Sequence, residues 1–188
     1  MLYCEDPAKA LNLTSNMIPL LERNSPSCSH PTLALLRLQQ SLLISALASS
    51  PDVSLLDNAI RVTARAVSGT TAILDEGHPV RGVGLAELGK LLAVDEPLST
   101  STATPADSGA QSDMFPPTGA ARLRLAIDTL KRALNELLVG FGESTQGGEV
   151  GVDLREEIVR LEKEMNVWHR GVRNALQNLA PKAKSKGA

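Results

Sequence analysis

The stretch Gly77-His-Pro-Val-Arg-Gly-Val-Gly-Leu-Ala-Glu-Leu-Gly-Lys-Leu-Leu92, GHPVRGVGLAELGKLL, decides how this chain is read. Gly84, four residues, and then Gly89-Lys90 make most of a phosphate-binding loop, in which backbone N–H groups turn inward around phosphates and a Lys reaches the outer ones. Such a loop closes on a Ser or Thr hydroxyl for Mg²⁺, and here Leu91 follows Lys90. The residues between the glycines, Leu85-Ala-Glu-Leu88, are strong helix formers. Val80, Gly84, Leu88, Leu91 and Leu92 hold one apolar face at helical spacing. His78-Pro79 fits the same reading, because Pro in a first helical turn has the right φ and gives up only an N–H that is unpaired there anyway. The segment is a helix interior, and no nucleotide chemistry is expected from it.

Working outward, the same opening dipeptide occurs at His30-Pro31, 48 residues earlier. Each His-Pro is followed by a leucine-rich helix, a break and a second helix, so the repeating unit is a helix pair. Pairs of this kind cannot bury their apolar faces alone and must stack on neighbours, which predicts an all-α, tetratricopeptide-like array of antiparallel pairs with about six helices.

The predicted elements follow. A first helix begins near Pro7 behind Glu5-Asp6 and carries Ala10, Leu13, Met17, Leu20 and Leu21, with Pro19 expected to kink or shorten it. A loop leads to a second helix from Pro31 to about Ala48, whose many leucines mark it as an inner helix. A third runs from about Asp52 to Leu74, with Gly69-Thr-Thr71 expected to interrupt or end it. The quoted helix, Pro79 to about Val94, is the fourth. A fifth runs from Ala120 to about Val139, and a glycine-rich loop from Gly140 to Gly151 separates it from the last. In that last helix Leu154, Ile158, Leu161, Met165, Trp168, Val172, Ala175 and Leu179 alternate steps of four and three. This suits a helix capping the stack, with Trp168 in the core, and also a coiled-coil seam. The first helix is read as the outer half of a truncated unit, and the fifth as partner of the fourth.

The domain therefore divides into helical pairs over 1–94, a Ser, Thr and Pro-rich insertion over 95–118, C-terminal helices over 119–180 and a basic tail over 181–188. The insertion and tail have too little apolar content to offset the entropy of ordering and are expected to be disordered.

At 188 residues the chain can build one well-buried core or a short array. Aromatic residues make up only 2% of it, so burial falls to aliphatic side chains, and no alternating β-branched run competes with helix. A net charge of -2 argues against general nucleic-acid affinity. Cys4 and Cys28 make neither a disulfide framework nor a zinc spacing, even with His30 close by. No segment reads as long enough to span a membrane, and no leader is apparent. The expected compartment is cytoplasm or nucleus.

Several residues carry a resemblance. His78-Pro-Val-Arg-Gly-Val83, Leu88-Gly-Lys-Leu91, and Met114-Phe-Pro116 leading into Leu123-Arg-Leu-Ala-Ile-Asp128 are similar to the C-terminal helical domain of the SET and MYND domain (SMYD) protein-lysine methyltransferases. The similarity covers about the last 110 residues in matching order, apart from the insertion; the earlier part agrees in helical pattern only. It implies a tetratricopeptide-like bundle that packs beside a SET domain, closes one side of the substrate cleft and docks partner proteins, including a heat-shock chaperone. The family's catalytic signatures are missing from this chain. There is no Asn-His-Ser-Cys segment, no Gly-Glu-Glu segment with a downstream Tyr, no post-SET cysteine cluster and no MYND zinc ligands, and the only tyrosine is Tyr3. The expected role is a non-catalytic interaction or substrate-cleft domain, as a piece of a longer enzyme or a degenerate relative. No cofactor is expected in this chain; S-adenosylmethionine and zinc would belong to a SET or MYND part upstream. Rival readings are a free-standing protein-binding adaptor and a helical protein dimerising through its last helix.

If the array takes an acidic peptide tail, basic and amide side chains on the first helix of each pair should line its concave face. Arg37 and Gln40, three apart on the second helix, share a face and are the best candidates, with Arg81 the third. Superposing the two His-Pro starts puts Leu85 and Leu88 at the matching places, so the pattern does not recur. Arg81 and Lys90, nine residues apart, point to opposite sides at about 100° per residue. Glu87 and Lys90 are spaced for a local ion pair. His30 and His78 are read as ordering the turns before their helices, and Gly82, Gly84 and Gly89 as permitting close helix packing.

Overall fold

The computed structural model describes the backbone of residues 6–26, 28–94 and 119–179 and the side chains as far as Val172. The insertion 95–118, the tail 181–188, Cys4, Tyr3 and the side chains of Ala175 and Leu179 lie outside those residues. The described residues are all-α, with no strand among them: α1 (Pro7–Glu22), α2 (His30–Ser49), α3 (Val53–Ile73), α4 (Pro79–Leu92), α5 (Ala120–Phe141) and α6 (Gly148–Leu179). A single 3₁₀ turn, Glu143–Thr145, links the last two.

Local chemistry starts these helices where the sequence suggests. The Asp6 carboxylate accepts from the Lys9 N–H at 3.0 Å and that of Asp52 from the Leu55 N–H at 3.2 Å, each satisfying an orphan donor of a first turn. His78 does the same with Nδ1, accepting from the Val80 N–H at 3.2 Å. Prolines occupy the first turns of α1, α2 and α4.

Three boundaries differ from expectation. Helix α1 is not shortened at Pro19 but continues through this exposed residue to Glu22. Helix α3 is not broken at Gly69-Thr-Thr71: Gly69 and Thr70 are buried, and the Thr70 and Thr71 hydroxyls donate back to the Val67 carbonyl at 2.9 and 2.7 Å. The loop expected from Gly140 to Gly151 shrinks, since α5 runs on to Phe141 and α6 begins at Gly148. The reversal is made by three consecutive positive φ values, 56° at Gln146, 80° at Gly147 and 73° at Gly148, which side chains other than Asn or Asp rarely tolerate.

Each helix packs on its neighbours in sequence. Ion pairs between next-but-one helices then define two rows. In one row, Glu22 of α1 pairs with Arg65 of α3, and Asp57 of α3 lies 3.8 Å from Arg122 of α5. In the other, Arg37 of α2 pairs with Glu87 of α4, while the Glu157 carboxyl of α6, held below its ordinary value mainly by its hydrogen bond with Arg160, also feels the Lys90 charge of α4 to a lesser degree. Gly82 of α4 lies against Leu137 and Gly89 against Leu130, so α4 and α5 run antiparallel. Short links make α3 antiparallel to α4 as well, and α3 and α5 are therefore parallel. This is the array of antiparallel pairs that the His-Pro repeat implies, with α1 in the row of second helices and α5 beside α4.

The core has two centres joined by α3. Ala59, Val62 and Ala66 meet Ile18 of α1 and Leu36 and Leu43 of α2. Leu56, Ile60 and Val67 meet the larger cluster of α4, α5 and α6, including Leu85, Leu130, Leu137, Leu154 and Leu161. The inner helices are thus α3 and α4, and the expectation for α2 is corrected: Leu38 and Ile44 of α2 face solvent although Leu36 and Leu43 are fully buried. The expectation about membrane spans is corrected too, because α2 is long and apolar enough to cross a membrane by length and composition. Its polar side chains bind neighbouring helices instead, Gln39 donating to Ser15 of α1 at 2.9 Å. Trp168 is 48% exposed rather than core. The 32 residues of α6 span about 48 Å, more than the 22 residues of α5 can underlie, so the stripe is covered from Leu154 to Leu161 and open at Trp168 and Val172.

Candidate functional site

The two best sequence candidates, Arg37 and Gln40, converge on one carboxylate. The Arg37 guanidinium lies 3.2 Å from Glu87 Oε2, and Gln40 Nε2 donates to the same oxygen at 2.7 Å. Glu87 therefore turns to α2 and not to Lys90. Where a ligand carboxylate would have to sit, the array holds its own. Arg81 is similarly committed: it donates to Glu136 Oε1 at 2.8 Å and to the Leu74 carbonyl at 3.0 Å, while the second Glu136 oxygen accepts from the Gly77 N–H. With side chains only 12% and 8% exposed, Arg81 and Glu136 form a clasp that fixes the α3–α4 turn to α5. Arg81 stands at the head of α4 and is not brought together with Arg37 and Gln40. His78 caps α4, as read from the sequence. Among the described residues no three His, Cys, Asp or Glu side chains are grouped as metal ligands.

The open space lies elsewhere. Helices α3 and α5 stand apart along part of their length, leaving a groove of about 470 Å³. Its walls are Ala64, Val67, Ser68, Thr71 and Ala72 of α3 and Leu125, Thr129 and Arg132 of α5. Leu85, Leu88 and Leu92 of α4 form the floor. The volume falls within the range of about 300–1,000 Å³ typical of ligand pockets. Two of the three wall hydroxyls already donate to their own helices, Thr71 to the Val67 carbonyl and Thr129 to the Leu125 carbonyl, both at 2.7 Å. The groove is accordingly an apolar trough.

One end of the trough is charged. Of the six basic side chains on α3 and α5, Arg65, Arg122 and Lys131 face Glu22, Asp57 and Glu162. Arg132 is exposed and has no carboxylate within ion-pair distance among the described residues. It lines the trough and also a polar recess of about 290 Å³ beside it, formed with Glu76, Arg81, Lys131, Asn135 and Glu136.

The trough was not singled out from the sequence, although a signal exists. Ala64, Ser68 and Ala72 recur every four residues on α3, placing small side chains along one stripe where larger ones would have filled the gap to α5. Compared with known proteins, the chain matches no family model, no curated protein and no solved structure.

Proposed function

We propose that this chain is a non-catalytic helical-repeat interaction domain that binds a protein partner in the trough between α3 and α5. The observation that carries the reading is an apolar, solvent-open groove floored by Leu85, Leu88 and Leu92 in a fold whose best basic candidates are already paired internally. The resemblance to the SMYD methyltransferases adds a specific partner: a SET domain, with this array forming one side of the substrate cleft. A free-standing adaptor that binds proteins without any SET domain is the alternative.

The test is calorimetric titration of the purified chain with a recombinant SET-domain fragment of that family, beside a Ser68→Trp variant that fills the trough from its exposed rim. Tight one-to-one binding lost in the variant supports the SET-linked reading, and no binding favours the adaptor. Incubation with labelled S-adenosylmethionine and histones should give no transfer; transfer by the pure chain would overturn the non-catalytic claim.

A second reading draws on α6, whose apolar stripe is open at Trp168 and Val172 and suits pairing with another copy. Sedimentation decides it: a dimer that becomes a folded monomer on Trp168→Arg supports pairing, and a monomer at all concentrations removes it.

A further inference from the structure

The reading of the trough as a binding site leaves open what kind of segment enters it, and the following step rests on that reading. An extended peptide brings a row of unpaired N–H and C=O groups, each needing a partner when taken out of water. The trough offers few. Its walls are α-helices whose backbone groups are spent internally, its floor is three leucines, and the Thr71 and Thr129 hydroxyls already donate to Val67 and Leu125. An occupant must therefore satisfy its own backbone, which a helix does.

Charge fixes the rest. The α3 and α5 helices carry six Arg and Lys against Asp57, Asp128 and Glu136, and of the six Arg65 and Lys131 are already paired with Glu22 of α1 and Glu162 of α6. Arg132, exposed and with no carboxylate within ion-pair distance among the described residues, stands on the α5 wall at the end nearest Thr71, Ala72 and the polar recess, whose Glu76 and Glu136 share that recess with it. At the other end, Ala64, Leu125 and Leu92 are apolar.

We infer that the trough takes an amphipathic helix from a protein partner, its apolar residues on the Leu85, Leu88 and Leu92 floor and an Asp or Glu at one end paired with Arg132. This lies on the opposite row from Arg37 and Gln40, where Glu87 already occupies the basic and amide groups. The mode is helix-in-groove recognition, with anchors spaced i, i+3 or i+4, and i+7.

The experiment selects binders to the full chain from a phage-displayed library of random 16-residue peptides and measures them by fluorescence anisotropy. Recovered peptides should show apolar residues at helical spacing with an acidic residue toward one end. Ser68→Trp should abolish their binding, a proline placed mid-peptide should do the same, and Arg132→Glu should weaken it about fivefold, since an attractive exposed pair becomes repulsive. Binders blocked by Ser68→Trp but lacking the acidic residue, or tolerant of the proline, overturn this inference and leave the trough as the binding site. Binders indifferent to Ser68→Trp, or a library that yields none, overturn both. A concentration-dependent dimer of the chain alone that Ser68→Trp dissociates would show a second copy in the trough and overturn the partner assignment.

Discussion

The two sides of α4 were built from the same kind of residue and came out differently. Toward α5, Gly82 and Gly89 let the helices close until a Cβ on either would lie 2.7 and 2.5 Å from Leu137 and Leu130. Toward α3, the one glycine in contact, Gly84, leaves a looser 3.3 Å to Val67, and beyond it the leucines Leu85, Leu88 and Leu92 face a gap between α3 and α5. The closed side is fastened by the Arg81–Glu136 clasp, whereas across the open side Asp57 of α3 lies 3.8 Å from Arg122 of α5 at the head of the two helices. Glycine thus seals an interface only where the opposing helix presents a large side chain into the notch; small side chains opposite leucines leave a trough.

Breaking the clasp is the strongest challenge to that contrast. Glu136→Leu strips the carboxylate from a buried guanidinium and an amide N–H, and is expected to cost about 3–5 kcal/mol in urea unfolding. A loss near zero would show that the closed side does not depend on the clasp. Gly89→Ala comes next, with a loss of about 1–3 kcal/mol from overpacking against Leu130 outweighing the helix propensity gained. Stabilisation instead would mean that α4 and α5 separate readily. At the head of α3, Asp52→Ala removes a cap and should lower Tm by about 2–4 °C.

The same cap predicts a pH dependence. The Ser54 hydroxyl, and secondly the Leu55 N–H, hold the Asp52 carboxyl below its ordinary value of 3.8. Its contribution is complete above that value and is lost as pH falls through the lower folded one. Asp52→Asn, which caps without ionising, should flatten this acid limb of the melting curve; an unchanged limb would assign the loss to other carboxylates. The smallest effect belongs to the open side. Gly84→Ala needs a shift of only a few tenths of an ångström from Val67 and gains helix propensity, so its unfolding free energy should change by under about 1 kcal/mol. A loss as large as that of Gly89→Ala would make the two sides equivalent.

Much of the fold was legible because helical periodicity and caps are local. The His-Pro starts, Asp52 before α3, and the glycines of α4 each act within a turn or two of their own position. Helix continuation through Gly69-Thr-Thr71 was not legible, since it depended on hydroxyls bonding back to carbonyls. The candidate site was less legible still. Arg37 and Gln40 share a face, as their spacing of three requires, but Glu87 reaches them from 50 and 47 residues away. Trp168 sits on a correct apolar stripe that outlasts the body beneath it.

By itself the sequence determined an all-α chain, the places where its helices begin, and a repeat that forces them to pair, because capping, proline geometry and the 3.6-residue period are written in neighbouring residues. Tertiary structure alone decided which charges were spent inside and where space was left over. Both depend on distances between helices, and those are set by the side chains that happen to face each other across the two rows.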